Sequence, residues 1–268
     1  MTTSAASSPA LPADPDGFRV EIDPVRERAD IVLDRPPFNV VSMPERDQLR
    51  DAFEALDADA RVRVIVLRAS GEHFSSGGDI AGFLAASPEH VSHLAWNVAA
   101  PERCAKPVIA ANRGYTFGVG FELSLACDFR IASATAMYAL PEQRLGQIPG
   151  SGGSARLQKM VGIARTKDIV MRSRRLPAQE ALAWGIVVEC VPDGELERAT
   201  DALADELRAF SPLAQRTAKR LMNDGENAPL SVAIEMEGHC YSRLRTSDDF
   251  REGVTAFKDK RKPVFRGS

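Results

Sequence analysis

A basic surplus is missing from this sequence. Lysine and arginine number 34 against 37 aspartates and glutamates, a formal net charge of −3. Nucleic-acid binders usually carry a basic excess, so no nucleic-acid partner is expected. No uninterrupted apolar run approaches the length that crosses a bilayer, so no membrane partner is expected either. Cysteine is scarce: Cys104, Cys127, Cys190 and Cys240 lie far apart and form no CxxC pair. They read as reduced thiols of a cytoplasmic protein, not as a disulfide framework. The histidines His73, His90, His93 and His239 make no HExxH pattern, and His90 and His93 have no cysteine nearby. No metal site is expected. Nucleotide loops are also missing: Gly118-Val119-Gly120 runs on into Phe121-Glu122-Leu123, and no GxxxxGK occurs.

What is present suits one large α/β core with an appended helical segment: 268 residues, 44% hydrophobic and 26% charged. Residues 1–17 are small, contain three prolines and no basic residue, and read as a loose tail. They have neither the apolar stretch of a signal peptide nor the arginines of a transit peptide. FRVEI and ADIVLD follow as two strands joined by a charged turn. Ser42 and Glu45 form a capping box that opens a helix, whose Leu49, Phe53 and Leu56 share one face. Strands are expected at Val62–Ala69, Pro107–Asn112, Phe129–Ala132 and Ile186–Val191, separated by helix-compatible stretches. That alternation implies right-handed crossovers between parallel strands. Leu196, Ala199, Leu203, Leu207 and Phe210 trace a helical stripe. Helices are further expected at Pro212–Met222, Pro229–Tyr241 and Asp248–Arg261. The division is a tail at 1–17, a core at 18–210 and a helical region at 211–268.

Three glycine-rich stretches follow strands, around Gly77-Gly78, Gly118–Gly120 and Gly146–Gly153. Gly78 stands just before a helix start at Asp79, and Val119 opens the apolar helix that runs to Cys127. First-turn N–H groups have no intrahelical partner and lie at the positive end of the helix dipole. Two such donors from separate loops can hold a carbonyl oxygen that turns anionic. Glu122 lies one turn beyond Val119, flanked by apolar residues, and Glu142 sits in the third loop. Two glutamates in a dry site can be driven to different protonation states, one acid and one base. His73, beside the first loop, is read as a surface residue, and Trp96 and Trp184 as packing residues.

These stretches resemble the crotonase superfamily, the enoyl-CoA hydratases and isomerases. The resemblance runs from about Phe18 to Phe265. It is carried by FSSGGDI, KPVIAANRGYTFGVGFELSLACDFRIAS, LPEQRLGQIPGSGG and REGVTAFKDKRKPVF. It implies an α/β fold, a spiral of ββα units with a helical C-terminal region that builds homotrimers, often paired into hexamers. It makes Glu122 and Glu142 catalytic and the backbone N–H groups of Gly78 and Val119 the oxyanion donors. Coenzyme A contacts fall on Ser76, Asp79 and Ile80, with Tyr241 and Lys260 reaching a neighbouring subunit's adenine and phosphates. The implied reaction is hydration of a trans-2-enoyl-CoA to a 3-hydroxyacyl-CoA. Double-bond isomerisation, or another acyl-CoA reaction on the same scaffold, is the alternative. No metal or redox cofactor is implied, since coenzyme A belongs to the substrate. Three positions depart from the family pattern: Val119 replaces a glycine, Ala81 a lysine and Gln147 a threonine. Val119 is expected to trim the acyl pocket, and Arg144 reads as a solvated side chain. Which glutamate delivers the proton stays open, with Glu142 favoured as donor and Glu122 as base.

Overall fold

A computed structural model describes residues 9–268. Strands β1 (Phe18–Asp23) and β2 (Arg28–Leu33) form an antiparallel pair in which Phe18 faces Leu33. From β2 the large sheet continues through β3 (Val64–Ala69), β4 (Val108–Asn112), β6 (Phe129–Ser133) and β9 (Glu189–Val191), each joined in parallel to its neighbour. Every residue of β2 and β4 is buried. The apolar run of β4 suits that environment, and in β2 the buried Arg28 and Asp30 pair with each other. A small second sheet holds β5 (Tyr115–Phe117), β7 (Met137–Ala139) and β8 (Leu176–Pro177).

The chain alternates between the two sheets. After β2 it bridges at Val41 and enters helix α1 (Met43–Ala58). After β3 it bridges at Ser75 and Gly78, then enters the short helices α2 (Ile80–Phe83), α3 (Pro88–Ser92), α4 (Leu94–Val98) and α5 (Ala100–Arg103). After β4 and β5 comes α6 (Val119–Ala126). After β6 and β7 come a 3₁₀ turn (Glu142–Leu145), α7 (Gly153–Val161) and α8 (Ile163–Met171). Each round is a strand, a short second strand or bridge, and a helix. This is the expected α/β spiral of ββα units. It has one consequence for function. The points where the small sheet hands over to a helix recur in register, so segments 77–79, 117–119 and 139–142 become neighbours.

Helix α9 (Ala178–Ala183) leads to β9, and α10 (Leu196–Arg208) covers the outer face of the large sheet. Leu196, Ala199 and Leu207 of α10 pack against Val64, Val66 and Ile109. Helix α11 (Pro212–Gly225) is locked to the core by Lys219, which is 6% exposed. Its ammonium donates to the carbonyls of Pro101 (2.8 Å) and Lys106 (3.0 Å) and pairs with Asp128 (2.7 Å). Helix α12 (Leu230–Leu244) buries none of its side chains within the chain. Helix α13 (Asp248–Lys258) ends the fold, with Asp249 accepting from the N–H groups of Arg266 (2.7 Å) and Gly267.

Several expectations need correction. Residues 1–8 of the expected tail lie outside the described residues. Asp16, by contrast, is fixed: its N–H donates to Gln48 (2.6 Å), and its carboxylate pairs with Arg35 (2.7 Å) and accepts from Ser42 (2.8 Å). The carbonyl of Gly17 accepts from Asp34 N–H at 2.7 Å. Burial of Phe18 at the start of β1 draws this segment against α1. The strand expected at 186–191 is a ladder only over Glu189–Val191, because Ile186 and Val187 are used as packing residues. His73 is not a free surface side chain. Its ring stacks on Tyr115 (centroids 4.2 Å apart) and Nδ1 accepts from Tyr115 N–H at 3.2 Å. Trp96 is 59% exposed, with the Arg103 guanidinium 3.6 Å above its ring, so it does little core packing.

Candidate active site

The site begins with two peptide N–H groups. Val41 donates its N–H to Gly77 O (2.9 Å) and its carbonyl accepts from Asp79 N–H (3.1 Å). In a parallel bridge the residue between those partners turns its own N–H the other way. That residue is Gly78. Gly77 before it has φ +117°, a conformation that favours glycine, and its N–H donates to Ser75 Oγ at 3.1 Å. The second N–H belongs to Val119, the first residue of α6. Gly118 caps that helix with φ 51° and ψ −127°, and donates to Ala139 O at 2.9 Å. Among the described residues, neither Gly78 N–H nor Val119 N–H has an acceptor. The two loops touch: a Cβ placed on Gly118 would lie 3.6 Å from Gly77 Cα and 3.2 Å from Glu142 Oε1.

Glu122, 3% exposed, stands one turn along α6. Its Oε1 accepts from the N–H groups of Ser151 (2.7 Å) and Gly153 (3.1 Å), at the start of α7. A carboxylate held this way meets the positive end of a helix. Burial pushes the Glu122 carboxyl upward, while those N–H groups and the nearby Arg46 and Arg156 charges pull it down. Glu142, first residue of the 3₁₀ turn, has no comparable donors. Its Oε2 is enclosed and unpartnered. Burial first, and the neighbouring Glu122 charge after it, push Glu142 up to about 7. Burial therefore holds both carboxyls above the usual carboxylate range, but Glu122 has two backbone donors to support its charged form where Glu142 has an enclosed oxygen with none.

Of the remaining expected residues, Ser76 donates its N–H to Phe38 O (2.8 Å). Asp79 caps α2 by accepting from Ala81 N–H (3.1 Å), and Ile80 is 57% exposed beside it. Tyr241 and Lys260 are exposed on the C-terminal helical region. None of the contacts described for the two loops and the two glutamates includes either of them. The Val119 side chain, expected to trim the acyl pocket, is 4% exposed and packs in the core cluster that includes Leu123 and Phe53.

Arg46 escaped the sequence reading. It extends the Leu49–Phe53–Leu56 stripe of α1 back by one turn, which was its one signal, and it is 4% exposed. A Cβ on Gly78 would lie 2.5 Å from Arg46 Nη2 and 2.6 Å from Phe83 Cζ. Glycine at 78 therefore makes room for a guanidinium and a ring. Burial pushes the Arg46 guanidinium down, and the charges of Glu122, Glu45 and Glu142 act on it in the opposite sense.

A two-sheet α/β spiral that sets paired glutamates beside free loop N–H groups defines an acyl-CoA-transforming enzyme of the crotonase fold. A family model described as enoyl-CoA hydratase/isomerase matches residues 28–268, and the chain belongs to that family. The chain is 34% identical over 245 residues to a protein of Arabidopsis thaliana named "Probable enoyl-CoA hydratase 2, mitochondrial", covering 89% of this chain and 81% of that one. It is 36% identical over 251 residues to carnitinyl-CoA dehydratase of Salmonella typhi, covering 89% and 94%. The crystal structure of an enoyl-CoA hydratase from Bacillus anthracis superposes with a TM-score of 0.88 at 33% identity, covering 94% of this chain and 100% of that one. One of these relatives is named mitochondrial. Among the described residues no helix is long and apolar enough to cross a membrane.

Proposed function

We propose that the protein is a hydro-lyase that adds water across the α,β double bond of an enoyl-CoA thioester. The observation that carries this reading is the unequal pair of glutamates. Glu122 accepts two backbone N–H groups, which favours its carboxylate, whereas Glu142 has an orphaned buried oxygen and sits up at about 7. The thioester oxygen accepts from Gly78 and Val119 N–H, which stabilise the enolate as charge develops on that oxygen. Glu122 takes a proton from water as the water oxygen bonds to the β-carbon. Glu142 delivers its proton to the α-carbon. No metal or redox cofactor enters this scheme, and coenzyme A arrives as part of the substrate. Ser76, Asp79 and Ile80 line the approach of the coenzyme A portion. Tyr241 and Lys260 serve a neighbouring subunit. The outward apolar side chains of α12, including Leu230 (77% exposed) and Ile234 (59%), suit such an assembly. Sedimentation tests it, with a trimer or hexamer expected and a monomer refuting it.

The reaction is tested with a panel of trans-2-enoyl-CoA thioesters of different chain length and branching. Hydration removes the conjugated thioester absorbance and yields a 3-hydroxyacyl-CoA. A protein that instead moved the double bond to the β,γ position, without taking up water, would be an isomerase.

A further inference from the structure

Arg46 is a buried cation whose one described charge contact is the Phe83 ring. Its side chain makes no hydrogen bond and no ion pair among the described residues, and its Nε is fully enclosed without a partner. A guanidinium offers five N–H donors in a fixed fork that fits a carboxylate in two-point fashion. Buried polar groups are normally satisfied, and a charged one left empty points to something that arrives later. The position is specific. Nη2 lies against Gly78, the Phe83 ring centroid is 5.6 Å from Arg46 Cζ, and both Glu122 and Glu142 are close enough for their charges to act on it. Neither glutamate, however, approaches closely enough to pair with it. Because Nη2 lies against the Gly78 backbone, a substrate whose thioester oxygen rests on Gly78 N–H would bind within reach of this guanidinium.

From this unpartnered guanidinium at the Gly78 loop, we propose that Arg46 is a specificity residue that binds a second carboxylate on the acyl group. The favoured substrates are then monothioesters of short dicarboxylic acids. The assignment rests on the reading of the site as one for acyl-CoA thioesters. It differs from a role in which Arg46 acts only through the glutamates, because that role predicts no preference among acyl groups.

Binding of unreactive saturated thioesters tests it without requiring turnover. Succinyl-, glutaryl- and adipyl-CoA are titrated calorimetrically against butyryl-, valeryl- and hexanoyl-CoA. At least one acidic thioester should bind about 10-fold to 100-fold more tightly than its neutral counterpart, the usual worth of a charge-assisted hydrogen bond. In Arg46→Met the preference should vanish, while affinity for the neutral series changes less than about threefold. Arg46→Lys, which keeps the charge but loses the fork, should retain part of the preference and serves if the methionine variant fails to fold by circular dichroism. Equal binding of both series by the wild type, or a preference that survives Arg46→Met, would overturn the assignment. If thioesters of neither series bind, the acyl-CoA reading itself fails and takes the assignment with it.

Discussion

Replacing Glu142 with glutamine should stabilise the protein above pH 7 while it cripples the chemistry. Folding raises the Glu142 carboxyl from 4.5 to about 7 because it is buried, lies near Glu122, and has an oxygen without a donor. As pH climbs from 4.5 to about 7, the unfolded chain loses this proton while the folded chain keeps it. The folded state binds more protons through that window, so stability falls as pH rises. Each pH unit of displacement is worth about 1.4 kcal/mol, giving about 3 kcal/mol of stability present below pH 4.5 and lost by about pH 7. Glu142→Gln has no proton to lose and escapes the fall. The assay is urea unfolding of both proteins at one fixed concentration, at pH 5 and at pH 8. The advantage of the variant should be about 2–3 kcal/mol larger at pH 8. Glu45, also raised to about 7 chiefly by burial, adds its own fall to both proteins and cancels in the difference. An advantage equal at the two pH values, or a variant weaker at pH 8, would refute the reasoning.

Other outcomes follow from the same geometry. Val119→Gly deletes a core side chain and loosens a helix, and should cost about 2–4 kcal/mol in urea unfolding while keeping the N–H donor. Val119→Pro removes that donor at a first-turn position where proline is tolerated, and turnover should fall about 10²–10³-fold with the helix content kept. Normal turnover by folded Val119→Pro would exclude Val119 from the site. For the wild type, kcat/KM should decline as pH rises through about 7, because Glu142 must carry its proton to donate it. An increase through that range would make Glu142 the base. Lys219→Ala should lower stability by about 3–5 kcal/mol, since it strips a buried cation from Asp128 and two carbonyls. A loss under 1 kcal/mol would show that the lock holding α11 matters little.

The capping box at Ser42–Glu45 was legible because its chemistry is local. Glu45 N–H donates to Ser42 Oγ at 3.1 Å and Ser42 N–H to Glu45 Oε2 at 3.2 Å. The apolar strands were legible for the same kind of reason, since burial of both faces leaves a continuous run. What the sequence concealed was side-chain direction at junctions. Val119 was expected to trim the pocket because it replaces the family's glycine, yet its side chain packs in the core cluster while its N–H stays free. The first-turn geometry of α6 decides that, and residue spacing does not report it. His73 was misjudged because the stack with Tyr115 depends on pairing between segments 42 residues apart. Arg46 lay on a plainly buried stripe, but a charged residue one turn before Leu49 reads as a helix end. Its meaning appears only when the Gly78 loop folds over it.

The central claim, water addition by an unequal pair of glutamates, is tested most directly by the mass of the product. The wild type, Glu122→Gln and Glu142→Gln are incubated with trans-2-butenoyl-CoA in heavy water and the thioester is examined by mass spectrometry. The wild type should yield 3-hydroxybutyryl-CoA with one deuterium fixed on the α-carbon, and each variant should form it about 10²–10⁴-fold more slowly. A product of unchanged elemental composition with a displaced double bond, or hydration that persists at the wild-type rate in either variant, would contradict the account.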